Sequence, residues 1–413
     1  MTIDEHIAKF LTGTREAETA FLADLVKVPS DNPPGDCAPH AARAAELLEG
    51  LGFKVERHHV PADVVREHGM VRATNLVIRE NFGAGPTVAL NAHGDVVAPG
   101  LGWSFDPYGA EIRDGVMYGR GVAVSKSDFA TYAFALLALK HAVGAYGLRP
   151  KGSVELHLTY DEEAGGLVGP GWLLANKISK PDFVISAGFS YNVVTAHNGC
   201  LHLEVTITGK SAHAAMPASG IDALEAANAV LTDLYALRRD LAKQTSKTPG
   251  IGSPNLTVGL ISGGINTNVV PDRVVFRLDR RITPEEDPQA VEDNLRTVIQ
   301  RAAQRVPGIH CQIRRILLAN PFVPMPGQER LVAAISRHAS RIFAEPVATS
   351  GVPIYTDARL YSGAGIPTVL YGAGPRSVLE ANGHRADERL VLTDLFKATE
   401  VVALTLKDLL LAE

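Results

Sequence analysis

Cysteine is scarce in this chain of 413 residues: Cys37, Cys200 and Cys311 are the three, widely spaced and outside any CxxC pattern. That excludes a disulfide framework and a zinc knuckle, and points to apolar residues in a reducing compartment. A basic excess is missing as well. Lys plus Arg number 40 against 45 Asp plus Glu, a formal charge of −5, so there is no electrostatic footprint for nucleic acid or an anionic membrane. Long apolar runs are absent: "TYAFALLAL" (131–139) falls well short of the roughly 20 residues that cross a bilayer. The first residues, "MTIDEHIAKFLTGTREAETAFLADLV", carry acids throughout and lack an apolar core, so an amphipathic helix is expected there rather than a signal peptide. There is no internal repeat and no low-complexity tract. What remains is an ordinary globular composition, 46% hydrophobic and 21% charged, long enough for two domains. The expectation is a cytoplasmic protein that acts on a small molecule.

Apolar runs of strand length alternate with helical periods in the first half: "NLVI" (75–78), "TVALNA" (87–92), a helix over 127–143, "SVELHLT" (153–159), a helix over 168–177, and "DFVISA" (182–187). This is the pattern of a mainly parallel sheet covered on both faces. The period then changes. "LHLEVTITG" (201–209) alternates strictly, as a strand with one wet face does. A helix (220–243), "NLTVGLISGG" (255–264), "RVVFRLDRRI" (273–282), a helix (284–305) and "HCQIRRILL" (310–318) follow. Strand, helix, two strands, helix, strand is a complete ferredoxin-like unit. After the Pro-rich "NPFVPMPG" (320–327), helix-then-strand alternation resumes. The predicted fold is an open α/β catalytic domain, residues 1–200 and 320–413, interrupted by an α+β domain, 201–319.

Several stretches carry chemistry. "NAHGD" (91–95) puts His93 and Asp95 directly after a buried strand, where open α/β sheets collect ligands. His-x-Asp suits a metal-binding imidazole steered by a carboxylate, and equally a loop ion pair. "LTYDEEAGG" (158–166) ends the next strand in three acids, which repel unless a cation or solvent separates them. "GKSAHAAMP" (209–217) supplies His213, "GGINTNVVPD" (263–272) Asn268, "YTDARL" (355–360) Arg359, and "EANGHRADERL" (380–390) His384.

In order and spacing, from "NAHGD" through "GWSFDPYGAEIRDGVMYGRG", "LTYDEEAGG", "GKSAHAAMP" and "GGINTNVVPD" to "GHRADERL", the chain resembles the M20 metallopeptidase family. That family includes aminoacylases, succinyl-diaminopimelate desuccinylase, acetylornithine deacetylase and glutamate carboxypeptidases. The resemblance implies a zinc-peptidase-like catalytic domain with an inserted lid and dimerisation domain. It implies His93 on a first metal, His384 and Glu163 on a second, and Glu162 as the general base; Asp95, from the residue reading above, steers His93. It further implies that His213, often reaching a partner subunit's site, stabilises the oxyanion, and that Asn268 and Arg359 orient substrate.

Two positions depart from the family. Val124 in "GRGVAVSKSD" stands where an aspartate bridges both metals, and Gly188 in "VISAGFS" where an acid binds the first. Two dications roughly 3.5 Å apart repel by about 19 kcal/mol at an effective dielectric near 20. Without the bridging anion little offsets that, so one weakly held divalent ion (Zn, Mn or Co) is expected, on His93, Glu163 and His384. Asp128 either replaces the lost aspartate or, as expected here, favours the start of the helix near Ser127. The functional readings that follow are a single-metal hydrolase that cleaves the amide of an N-acyl amino acid or acts as an aminohydrolase on an activated aromatic amine, a hydrolase that works without metal, and an inactive member that only binds a small molecule. Trp103, Phe105, Phe189 and Tyr191 suit a flat substrate or ordinary packing. A homodimer or higher oligomer through the inserted domain is expected.

Overall fold

The computed structural model describes residues 1–411, which form two compact units. The first comprises residues 1–195, 324–350 and 356–411; the second, 196–323 and 351–355.

The strands in chain order are β1 (Val55–His59), β2 (Thr74–Asn81), β3 (Thr87–His93), β4 (Glu111–Arg113), β5 (Val116–Tyr118), β6 (Ser153–Thr159), β7 (Phe183–Ser186), β8 (Val193–His197), β9 (Gly199–Thr208), β10 (Asn255–Gly263), β11 (Arg273–Ile282), β12 (His310–Ala319), β13 (Thr349–Val352), β14 (Thr368–Leu370) and β15 (Arg389–Val391). An eight-stranded sheet runs β1-β2-β6-β3-β7-β14-β8-β13. Its centre, β6-β3-β7-β14, is parallel, while β1–β2, β2–β6 and β14–β8 pair antiparallel. The α/β class read from the sequence is the one observed. All residues but the first of β3 and of β6 are buried, as strands with both faces covered must be.

The helix Lys126–Tyr146 buries nearly every residue of its first half, including Phe129, Tyr132 and Phe134. Its run of Ala, Leu and Phe therefore makes it an interior helix and not an amphipathic one. The helix Ile3–Val26 starts on a capping box between Thr2 and Glu5, which satisfies two end N–H groups. It contributes Phe21, Leu22 and Leu25 to the same core, at roughly 1.5–3 kcal/mol for each large apolar side chain buried.

The second unit is a four-stranded antiparallel sheet, β10-β11-β9-β12. Two helices, Ala223–Leu241 and Pro288–Ala303, begin on the side-chain caps of Asp222 and Asp287. Leu201, Leu203, Val205 and Ile207 join the core with those helices, so the intervening residues of β9 face the opposite side. Strand β10 is an edge, and Leu260, Ile261 and Ile265 stand exposed on it and just beyond.

Candidate active site

The carboxyl ends of β3 and β6 put the site together. His93 is the last residue of β3, and Glu162 and Glu163 form the first turn after β6. Asp95 is fully buried between them. One of its oxygens accepts the Glu162 N–H at 3.2 Å; the other accepts the Glu163 N–H at 3.2 Å and the Asn32 amide at 2.9 Å. The carboxylate thus holds the turn that carries both glutamates. His93 Nδ1 lies 2.9 Å from the Asp95 carbonyl oxygen and 3.4 Å from its carboxylate. A proton on Nδ1 satisfies that carbonyl and leaves Nε2 facing Glu162, 3.9 Å away.

His384 arrives from the loop after β14. Its φ of +62° is in the left-handed region, uncommon for a residue with a side chain and most often met at functional loops. The ring stands 3.2 Å from Glu163 Oε1. A few residues on, Glu388 forms a buried ion pair with Arg120 at 2.6 Å. Its other oxygen accepts the N–H groups of Ala123 at 3.1 Å and Val124 at 3.3 Å. The loop bearing His384 and the loop bearing Val124 are therefore locked to each other.

The site is rich in buried acid. Burial, then the charges of Glu163 and Asp95, lift the Glu162 carboxyl to about 7 against the attraction of His93. Burial and the Asp95 charge lift Asp161 to about 8. Asp357 is pushed well above the carboxylate range by burial and by Asp161 and Glu162. Its Oδ2 has no hydrogen-bond partner among the described residues. Burial opposes a charge on His93, but the hydrogen bond to Asp95 and the charge of Glu162 outweigh it and raise the imidazole well above its usual range. The hydrogen bond to Glu163 raises His384.

In the first unit, then, His93, Asp95, Glu162, Glu163 and His384 come together. They do so as two pairs, His93 with Glu162 and His384 with Glu163. The three expected metal ligands do not close on one point: among the described residues no three His, Cys, Asp or Glu side chains of this site bring ligand atoms within 4.8 Å of one another. Arg359 is buried, and its guanidinium donates to the Gly165 carbonyl, which braces the Glu162–Glu163 turn; its Nε has no hydrogen-bond partner among the described residues. Gly166 is needed beside it, since a Cβ there would sit 2.4 Å from Asp357 Oδ1. His213 and Asn268 are exposed neighbours in the second unit: the Asn268 carbonyl accepts the Ala214 N–H at 3.0 Å, and His213 bridges to Val269.

Asp128 lies in the first turn of its helix, as expected, and its carboxylate also accepts the Ala373 N–H at 2.7 Å, a tertiary tie beside the local one. Gly188 has no room for any side chain. A Cβ there would lie 2.8 Å from the carbonyl carbon and Cβ of Leu370 and 2.8 Å from Tyr371 N. The loop aromatics are committed elsewhere: Trp103 to Arg120, Phe105 to Tyr118, and Tyr191 to Arg376 and Asp394. Asp161 and Asp357 join the site although they lie in "LTYDEEAGG" and "YTDARL" with nothing to mark them, because burial of an acid has no signature in the sequence.

Imidazoles and acids gathered at the carboxyl ends of parallel strands define a hydrolytic centre of the metallopeptidase type. The model of peptidase family M20/M25/M40 matches residues 89–408, and the chain belongs to that family. It is 29% identical over 412 residues to succinyl-diaminopimelate desuccinylase of Gluconacetobacter diazotrophicus, covering 97% of this chain and 99% of the relative. It is 29% identical to acetylornithine deacetylase of Proteus mirabilis over 378 residues, 89% of each chain. Human carnosine dipeptidase 1 shares the fold with a TM-score of 0.79, at 15% identity and 99% coverage of both chains. The protein is thus a hydrolase of a family that works with divalent metal ions such as zinc.

Proposed function

We propose that the protein hydrolyses the amide bond of an N-acyl amino acid, with Glu162 as general base. The observation that carries the reading is Glu162 itself: a mostly enclosed carboxyl, 12% exposed, lifted to about 7 and 3.9 Å from the His93 imidazole. A base poised near the working pH gains most from both protonation states. Glu162 takes a proton from the attacking water and returns it to the leaving nitrogen as the C–N bond breaks. Asp95 keeps His93 in one tautomer and fixes the turn of Glu162 and Glu163. Arg359 is a positioning residue for that turn. His213 and Asn268 are the proposed contacts to the oxyanion and the substrate, supplied to a neighbouring subunit's site. The exposed edge β10 with Leu260 and Ile261 supports association through the second unit, because an uncovered apolar edge strand favours pairing.

The donor chemistry fits a divalent ion. His384 and Glu163 offer nitrogen and oxygen 3.2 Å apart, His93 offers Nε2, and Asp357 adds an unpartnered buried carboxylate oxygen nearby. We propose that His384 and Glu163 hold one ion, weakly, and that His93, which stands outside that pair, closes on the ion when it binds. When bound there, such an ion would supply Lewis acidity to the scissile carbonyl and to water. A second ion lacks its ligands, since Val124 cannot coordinate and position 188 admits no side chain.

The aromatic-amine reading has less support, since Trp103, Phe105 and Tyr191 are engaged in packing. Hydrolysis of N-acetyl and N-succinyl amino acids by Mn-, Co- or Zn-loaded protein tests the proposal. Loaded protein that binds such compounds without cleaving them would leave only the binding role.

A further inference from the structure

The second unit presents a side-chain cluster that the hydrolytic site does not use. Cys200 and His202 alternate with the buried leucines of β9 and so share the sheet face turned away from the two helices. The β11–β9 register sets Asp279 directly opposite His202. Cys200 Sγ lies 3.0 Å from His202 Nε2, the same Nε2 lies 2.9 Å from Asp279 Oδ2, and Sγ lies 3.5 Å from that oxygen. Among the described residues this is the one group of three such side chains whose ligand atoms all fall within 4.8 Å.

Three explanations compete. A nucleophilic relay needs the thiol on one ring nitrogen and the acid on the other; here both address Nε2, so the imidazole cannot pass a proton from sulfur towards a carboxylate behind it. Hydrogen bonding alone is the second: Nε2–H and the Cys200 S–H can both donate to Asp279 Oδ2, an arrangement that leaves the same three atoms poised to exchange those protons for an ion. A cation at the centre of the triangle satisfies all three atoms. Donors around tetrahedral zinc stand about 3.3–3.6 Å apart when metal–ligand bonds have their usual lengths. Closing on an ion therefore asks the two shorter edges to open by about half an ångström.

The surroundings agree with this. Arg281 Nε holds the other Asp279 oxygen at 3.0 Å, which orients the carboxylate as a supporting partner of a metal ligand does. Tyr355 packs on the Arg281 guanidinium at 5.5 Å. The side chains of His202 and Asp279 are 31% and 28% exposed, enough for an ion to enter and for water to complete its shell.

We propose that Cys200, His202 and Asp279 form a site for a borderline-soft divalent ion of the zinc or cobalt type, with the remaining position open to water. A thiolate, an imidazole and a carboxylate select such ions over magnesium or calcium. The proposal is independent of the hydrolytic reading, whose donors are nitrogen and oxygen only.

That difference supplies the test. Metal-free full-length protein, kept reduced, is titrated with cobalt(II) and followed by absorption. A thiolate-to-cobalt charge-transfer band should grow to one ion per chain, be displaced by zinc, vanish in Cys200→Ser, and require at least about ten-fold more cobalt in Asp279→Asn. No such band in the unmodified protein, a band appearing only at millimolar cobalt, or a band that persists in Cys200→Ser would overturn the proposal. Should Cys200→Ser fail to fold, His202→Gln takes its place, and the spectrum of the unmodified protein still decides. Cobalt bound without a charge-transfer band would report the nitrogen and oxygen site alone, and would count against the sulfur site.

Discussion

Gly188→Ala is the smallest perturbation that probes why position 188 carries no side chain. The added methyl would stand 2.8 Å from Leu370 and from Tyr371 N. Those atoms cannot step aside cheaply. Leu370 is paired with Ser186 on one side and Val194 on the other, and the Tyr371 N–H is bonded to the Ser186 carbonyl at 3.0 Å. Overpacking of this kind costs about 1–3 kcal/mol, and the rigid backbone neighbours argue for the upper part of that range. Replacing glycine by alanine stiffens the unfolded chain and returns only about 0.4–1 kcal/mol. A net loss of about 2 kcal/mol is expected, a fall in melting temperature of roughly 4–6 °C, measured by scanning calorimetry of the metal-free protein with Gly363→Ala as a control where a Cβ meets nothing within 4 Å. By the same logic Gly188→Glu should fold poorly and supply no ligand, whereas Val124→Asp should tighten metal binding by itself. A Gly188→Ala protein as stable as its parent would refute the packing argument and reopen position 188 to a ligand.

Glu162→Gln should retain fold and bound metal while losing roughly 10²- to 10⁴-fold in kcat; near-normal turnover would remove Glu162 from the mechanism. Glu18 is buried with Thr399 donating to it at 2.5 Å, and burial raises its carboxyl to about 8. A raised folded-state value favours the proton, so this group's support is full below about 4.5 and is lost as pH climbs through 8. Glu18→Gln should therefore melt with little change at pH 4.5 and above its parent at pH 8.5, by up to several kcal/mol; a pH-independent difference would count against that assignment. Mixing inactive His213→Ala and Glu162→Gln chains should restore some turnover if His213 serves a neighbouring subunit, and none, with exchange confirmed, if it does not.

Strands β6 and β11 are observed with the bounds that "SVELHLT" and "RVVFRLDRRI" predict, because a buried or half-wet strand writes its environment into its residues. The short hairpin of β4 and β5 went unread although Asp114–Gly115 between them is a turn signal with positive φ at both residues; three-residue strands are too brief for a period. Strand β1, "VERHH", lies at a sheet edge and is mostly polar, so its pairing with β2 is what makes it a strand. The absence of acids at 124 and 188 was plain in the sequence. The reason at 188 was not, since it lies in contacts with residues 370 and 371. The same holds for Asp128, whose partner is 245 positions away.

The Arg120–Glu388 pair also bears on how the protein is made. Its members lie 268 residues apart, which at ribosomal rates of roughly 5–20 residues per second separates their appearance by about 15–50 s. Through that interval the guanidinium has no counter-charge to be buried with, and β14, which fills the gap between β7 and β8, has not been synthesised. The second unit, nearly continuous in the chain, can finish first. The hydrolytic centre is therefore assembled at the end of synthesis, and a chain truncated before residue 388 would carry most of the site's residues without the part that holds them together.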